Sequence, residues 1–229
     1  MLQPYLQKHG NIKYFKNIRT NPLTYGFENM LNCFEMASGE FVNFLMDDDV
    51  FHTEKIERMV LAFQNNSNVS LVTSYRQRID EHGNNLPPIE ATKKLYEQDT
   101  TVKGEEISLK ILKTLTNFIG EPTTVLFRKS DLPEGWSNYN GISYFGLEDV
   151  TSWLTLLSRG DMVYIASPLS LYRTHPGQNQ EKPSIHLAGI ACWGALIVSA
   201  FENGVIKDEM EYLGLLSSWN SVFGSLIPK

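Results

Sequence analysis

FVNFLMDDDVF, Phe41 to Phe51, is the stretch from which the rest of the chain is read. Phe41, Val42, Phe44 and Leu45 make an apolar, strand-like run that stops at three consecutive carboxylates, Asp47, Asp48 and Asp49. Adjacent acids repel one another and cost free energy unless water or a shared cation compensates them. The carboxyl end of a buried strand is where open α/β sheets bind ligands. Hard oxygen donors there suit Mg²⁺ or Mn²⁺, ions that commonly bridge to substrate phosphates. The alternative reading is a solvated acidic turn leading into the next helix.

Working outward, Ile12 to Lys16 reads as a short strand, and Thr20, Asn21 and Pro22 read as a turn. From Tyr25 the period becomes helical, with Phe27, Met30, Leu31 and Phe34 on one face and Gly39 as its C-cap. After the acids, Thr53 is the expected N-cap of a helix whose face is Ile56, Met59, Val60 and Phe63. Val69 to Arg76 reads as a strand. Pro87-Pro88 opens an irregular polar stretch to about Lys103, read as a loop over the site.

A helix with Ile107, Ile111, Leu112 and Leu115 on its face follows, then a polar entry GEPT at Gly120 and a strand TVLF. The loop Gly135 to Gly146 leads into LEDVTSWLTLLSRG, a helix buried through Val150, Trp153, Leu154 and Leu157 and ended by Gly160. Met162 to Ile165 and Leu169 to Arg173 read as two short strands around Pro168. Ser184 to Phe201 is apolar nearly all round, too short and too rich in Gly and Ala to span a membrane comfortably; Glu209 to Leu226 is amphipathic. In the latter, Leu213, Leu216, Phe223 and Leu226 suit a helix seam, closed either within the chain or in a homodimer. Alternation of strand and helix over the first 130 or so residues points to an α/β fold, a mostly parallel sheet flanked by helices.

The 229 residues suffice for one large α/β domain, and 42% hydrophobic with 20% charged residues is the balance of a globular chain. A net charge of −6 argues against a nucleic-acid partner. Cys33 and Cys192 sit in apolar contexts and are expected as buried free thiols in a reducing compartment. The N-terminus MLQPYLQKHG has neither a signal-peptide pattern nor a span, so a cytoplasmic location is expected, peripheral to the inner membrane face at most.

Four features in order carry the function: the acids after Phe41, GEPT at Gly120, LEDV at Leu147 and YRTHPGQ at Tyr172. With them, Ala37 to Val60, Gly146 to Gly160 and Ser167 to Gln178 make the chain resemble glycosyltransferase family 2 over roughly Ile12 to Gln178. The resemblance implies a GT-A-like fold, mixed and mostly parallel, over residues 1–183, with a helical C-terminal extension over 184–229. It implies an enzyme that moves a sugar, with inversion, from a nucleotide-sugar donor, expected to be UDP-linked. The acceptor would be a hydroxyl on a glycan, lipid-linked or protein partner, in cell-surface glycan biosynthesis.

Carried over residue by residue, Asp47, Asp48 and Asp49 match the family's DXD region and hold Mn²⁺ or Mg²⁺. Met46 stands where many members have the first acid, and Asp47 with Asp49 is the expected ligand pair. Asp149 of LEDV matches the general base, with Glu148 as the next candidate. His175 completes the metal site or is a loop histidine; Arg173 pairs with phosphate or closes a surface ion pair. Glu121 faces donor or acceptor sugar, or merely enters a strand. Trp136, Tyr139 and Tyr144 either stack on a sugar or plug the core. Family members open with a strand and loop that hold the nucleotide's base and ribose. This chain is expected to begin after that segment, which weakens donor binding or leaves the segment to a partner chain. A non-catalytic glycan- or partner-binding remnant is the rival reading.

Overall fold

A computed structural model describes residues 2–18, 26–176, 178 and 183–226. The chain divides into two compact units, Met1–Ala37 and Ser38–Lys229.

In the first unit, helix α1 (Gln3–Lys8) buries no side chain. The expected strand at Ile12 to Lys16 is irregular, with Tyr14 and Phe15 exposed. A strand needs a laddered neighbour, and this segment has none among the described residues. Helix α2 (Phe27–Met36) carries the expected apolar positions and buries Phe34; it ends at Ala37, not Gly39. Cys33 is exposed, contrary to expectation. The expected turn at Thr20 to Pro22, and Tyr25, lie outside the described residues.

The second unit runs β1 (Phe41–Val42), β2 (Val50–Phe51), α3 (Lys55–Asn65), β3 (Val69–Ile79), β4 (Thr100–Val102), α4 (Gly104–Thr114) and β5 (Leu126–Arg128). It continues with a small hairpin of β6 (Asn138–Tyr139) and β7 (Ile142–Ser143), then α5 (Glu148–Leu157), β8 (Asp161–Arg173), α6 (Pro183–Glu202) and α7 (Glu209–Phe223). The main sheet has the order β1-β5-β3-β8-β2, with β4 also on β8. It is mixed, as expected for an α/β domain. Its parallel part, however, is one long pair, β3 with β8, and the other described pairings are antiparallel.

That central pair explains a second difference. Met162 to Ile165 and Leu169 to Arg173 form one strand, not two. Pro168 cannot donate to a ladder, and the register shifts between Ser74 and Arg76, opposite it, absorb the defect as a bulge. On one face, Met59 and Phe63 of α3 pack on Val69, Val72, Leu126, Val163, Ile165 and Leu169. Ile56 of the expected helix face is 43% exposed, and Lys55 is buried in its place. Thr53 does not cap α3; the cap position is Glu54, whose N–H donates to His52 Nδ1 at 3.3 Å. Leu115 lies beyond α4 in a left-handed conformation.

Helix α6 has 20 residues. At 1.5 Å per residue this is about 30 Å, long enough for a membrane, contrary to the expectation of a segment too short to span. Among the described residues it is the one helix long and apolar enough to cross, and 44% of its apolar window is buried in the protein. Ile190, Trp193, Leu196, Ile197 and Ala200 make the buried face. Cys192 is half-buried, its thiol donating to Phe145 O at 3.2 Å. On α7, Leu216 and Trp219 face α6 across an apolar groove, while Leu213, and Leu226 in the turn that follows the helix, are exposed.

Candidate active site

The acidic turn hangs from a two-residue edge strand rather than from a long central one. Beyond Val42, ladder bonds give way to one side chain: Asn43 Nδ2 lies 2.8 Å from Val125 O and 3.1 Å from Thr123 O. Thr123 Oγ1 accepts from Met46 N at 3.1 Å, and Asp49 N closes a turn on Met46 O at 3.3 Å. The segment after Gly120 therefore shapes the turn.

The three acids have different surroundings. Asp47 is exposed. Asp48 Oδ2 lies 3.4 Å from His175 Nε2 and accepts from Gln178 Nε2 at 3.0 Å. Asp49 Oδ1 accepts from Arg173 N at 2.9 Å. Burial pushes the Asp49 carboxyl up to about 6, against the opposing pull of Thr123 and Arg173. The geometry thus brings Asp48, not the expected Asp47–Asp49 pair, to His175. The other imidazole nitrogen of His175 lies 3.0 Å from Pro176 O, which leaves Nε2 toward the acid. Among the described residues no three His, Cys, Asp or Glu side chains converge as a complete metal cage.

Two of the three guanidinium nitrogens of Arg173 are spent on backbone carbonyls. Its Nε donates to Asp48 O at 2.7 Å, and its Nη1 donates to Asp80 O at 2.8 Å and Glu81 O at 3.2 Å. It ties the acidic turn to the turn after β3. Trp136 is no sugar platform: it is 3% exposed, with ring centroids 4.7 Å from Phe44 and 5.4 Å from Trp153. Tyr139 and Tyr144 are likewise buried.

The second acidic centre opens α5. Trp153, one turn on from Asp149, is wholly buried and its Nε1 donates to Gly120 O at 2.9 Å. Residues four apart share a helix face, so the anchor that seats Trp153 turns Asp149 toward the same loop. There Asp149 Oδ2 accepts from Asn117 Nδ2 at 2.6 Å, and Oδ1 accepts from Val150 N at 2.7 Å. Burial, and then the neighbouring Glu148 charge, push the Asp149 carboxyl up to about 7. Glu148 turns back, its Oε1 accepting from Gly146 N at 2.9 Å, and burial raises its pKa too.

Asp149 and Glu121 line one cavity of about 520 Å³. Its wall also includes Ile89, Ala91 and Thr92, so the irregular stretch after Pro87 does border the site, and Tyr172 and His186. Glu121 is held by Arg76, whose Nε lies 2.7 Å from Oε2; Arg76 is only 3% exposed. The remaining Arg76 donors reach Phe118 O at 3.1 Å, Ala91 O at 2.7 Å and Asn117 O at 3.1 Å. The Glu121 charge raises both Asp49 and Asp149, so it stands within electrostatic reach of the turn and of the helix acid.

Arg76, Asn117, Thr123 and His186 escape the sequence reading. Arg76 lies in a strand with at least as many polar as apolar residues, so its burial has no clear local sign. Thr123 closes the GEPT feature, but its partner Met46 and the Asn117 partner Asp149 lie far along the chain, so neither contact is visible locally.

A mixed α/β sheet with one acidic turn beside its edge and a second acid heading a helix over a cavity has the architecture of a GT-A glycosyltransferase domain. The family model described as "Glycosyl transferase family 2" matches residues 1–136, more than half of the chain, and the chain belongs to that family. Asp149 lies beyond the matched residues. The structure of S. aureus TarS 1-349 is similar, with 13% identity and a TM-score of 0.59 over 100% of this chain and 62% of that one. The same figures hold for its complex with UDP. A longer TarS structure matches at 14% identity and TM-score 0.59, over 98% of this chain and 35% of that one. The chain thus spans less than two thirds of these neighbours, and at such identity the likeness establishes the fold. No curated protein matches.

Proposed function

We propose that the chain transfers a sugar from a UDP-linked donor to a hydroxyl of a glycan, lipid-linked or protein acceptor, by single displacement with inversion. The observation that carries this reading is Asp149, with both carboxylate oxygens held at 2.6 and 2.7 Å on the wall of a cavity of about 520 Å³ that Glu121 shares. A general base works best with a pKa near the operating pH, and the Asp149 carboxyl at about 7 meets that condition.

In the step proposed, Asp149 takes the acceptor hydroxyl proton as the acceptor oxygen bonds to the anomeric carbon. The bond from that carbon to the diphosphate oxygen breaks, and its electron pair leaves with UDP. Glu121, steadied by Arg76, faces the same cavity and accepts hydrogen bonds from sugar hydroxyls. Glu148 is occupied by Gly146 N and serves to start the helix.

Asp48 and His175 fit a Mg²⁺ or Mn²⁺ ion. A half-buried carboxylate and an imidazole 3.4 Å apart form a sparse ligand set, and such ions take their remaining ligands from water and substrate phosphates. Gln178 and the Arg173 backbone keep the two neighbouring carboxylates oriented. When bound, such a cation neutralises the charge that develops on the departing diphosphate.

Calorimetry with UDP, with and without Mn²⁺, tests the donor side. Binding that needs the metal and weakens about tenfold or more in Asp48→Ala is expected. No heat from the folded protein at millimolar UDP and Mn²⁺ would overturn the reading in favour of a non-catalytic module.

A further inference from the structure

We propose that Asn117 is a positioning residue for the Asp149 base: its side-chain amide fixes the carboxylate's orientation and holds it available for proton transfer. The inference rests on the reading of Asp149 as base and extends it to the group that controls it.

The amide has only one possible orientation. Asn117 Oδ1 accepts from Gly120 N at 3.1 Å, which puts Nδ2 on the other side, where it donates to Gly120 O at 3.1 Å and to Asp149 Oδ2 at 2.6 Å. An amide nitrogen carries two hydrogens, and both are used. A flipped amide would set donor against donor at Gly120 and acceptor against acceptor at Asp149.

The platform beneath it is rigid for stated reasons. Gly120 has φ +129, and a Cβ there would lie 2.7 Å from that of Thr124, so the position requires glycine. Gly120 O is also pinned by Trp153 Nε1 at 2.9 Å, and Asn117 O by Arg76 Nη2 at 3.1 Å. One loop therefore fixes the base through Asn117 and Trp153, and presents Glu121 next door.

The amide opposes its surroundings. Glu148 on the same helix and Glu121 from the loop both disfavour an ionised Asp149, and Tyr172 and His186 face the same cavity. Asn117 Nδ2 stands against them, together with the backbone N–H groups of Val150 and of Asp149 itself. Removing one leaves an ionised carboxylate short of a partner, which favours its protonated form.

Carboxyl ¹³C NMR titration of the full chain is the test, with the Asp149 resonance identified by its loss in Asp149→Asn. In the wild type, the Asn117 side-chain amide signals should titrate with the Asp149 midpoint. In Asn117→Ala, and in the near-isosteric, uncharged Asn117→Leu, that midpoint should rise by about one pH unit or more. Hydrolysis of UDP-glucose should then fall about tenfold at pH 6.5 and recover at pH 9, with the donor KM unchanged. A purely structural role would lower the rate equally at both pH values. An unmoved Asp149 midpoint in a folded variant, or wild-type amide signals indifferent to that titration, would overturn the proposal. If the wild type does not turn over UDP-glucose, the transferase reading is what suffers, and the carboxyl titration still decides the role of Asn117.

Discussion

At the scale of single residues, two buried groups ionise only at a cost, because burial favours the neutral form of each. Lys55 is fully buried; its Nζ donates to Thr124 O at 2.9 Å, lies 3.3 Å from Met59 Sδ, and burial pulls its pKa from 10.5 down to about 7. The unfolded chain binds more protons than the folded one between pH 7 and 10.5, so this residue makes stability rise with pH across that window. Lys55→Met should therefore stabilise the protein at pH 7, on the order of 1–2 kcal/mol after the lost Thr124 contact, with the gain fading towards pH 10. Denaturant titrations at the two pH values check it. Asp149 has the opposite dependence. Its folded pKa of about 7 lies above the ordinary 3.8, so the folded chain holds the extra proton and stability falls as pH rises from 3.8 to 7. The melting temperature of the wild type relative to Asp149→Asn should decline over that range. A constant difference would mean that Asp149 ionises as freely in the fold as outside it. Neither group's burial is visible locally: Lys55 stands one position before the expected apolar face, and only the crossing of α3 over β5 turns it inward.

At the scale of elements, α6 meets the loop that leads into α5 at a glycine contact. Gly146 has φ +87, and a Cβ there would come within 3.1 Å of Gly189 N and 3.3 Å of Ile185 O. Gly146→Ala both strains the backbone and pushes α6 away from the start of α5, where Asp149 sits. It should cost about 1–3 kcal/mol and lower transfer more than donor binding. A thermal melt and UDP calorimetry on the same variant separate the two effects. If stability is unchanged, α6 is not braced at this point. The helices themselves are legible in the sequence because their period is local: α2, α4 and α5 form where their apolar residues recur, although the expected caps Gly39 and Thr53 are not used. Strands are less so. Ile12 to Lys16 has strand composition but no described partner, and Phe41 to Leu45 ladders over only two residues because Asn43 spends its amide on the carbonyls of the Gly120 loop. Pro168 looked like a break and is a bulge, because the ten registered positions between β3 and β8 outweigh one missing donor.

At the scale of the whole molecule, the site joins segments that the sequence keeps apart: the acidic turn, the end of β3, the loop from Asn117 to Thr123, the head of α5 and the first turns of α6. The acids and the LEDV helix were readable, since charged residues abutting apolar runs stand out. Their supporting groups were not. Arg76, Asn117 and Thr123 acquire their roles only through contacts across the fold, and Trp136 loses its expected one in the same way. The account therefore turns on whether the cavity beside Asp149 is a place where chemistry occurs. The most direct measurement is transfer of labelled sugar from UDP-glucose and UDP-N-acetylglucosamine, to water and to added hydroxyl acceptors, by the wild type and by Asp149→Asn, with UDP affinity measured in parallel. The account predicts that the variant binds UDP within about twofold of the wild type and loses about 10²- to 10⁴-fold in transfer. Transfer by Asp149→Asn at near the wild-type rate would contradict it.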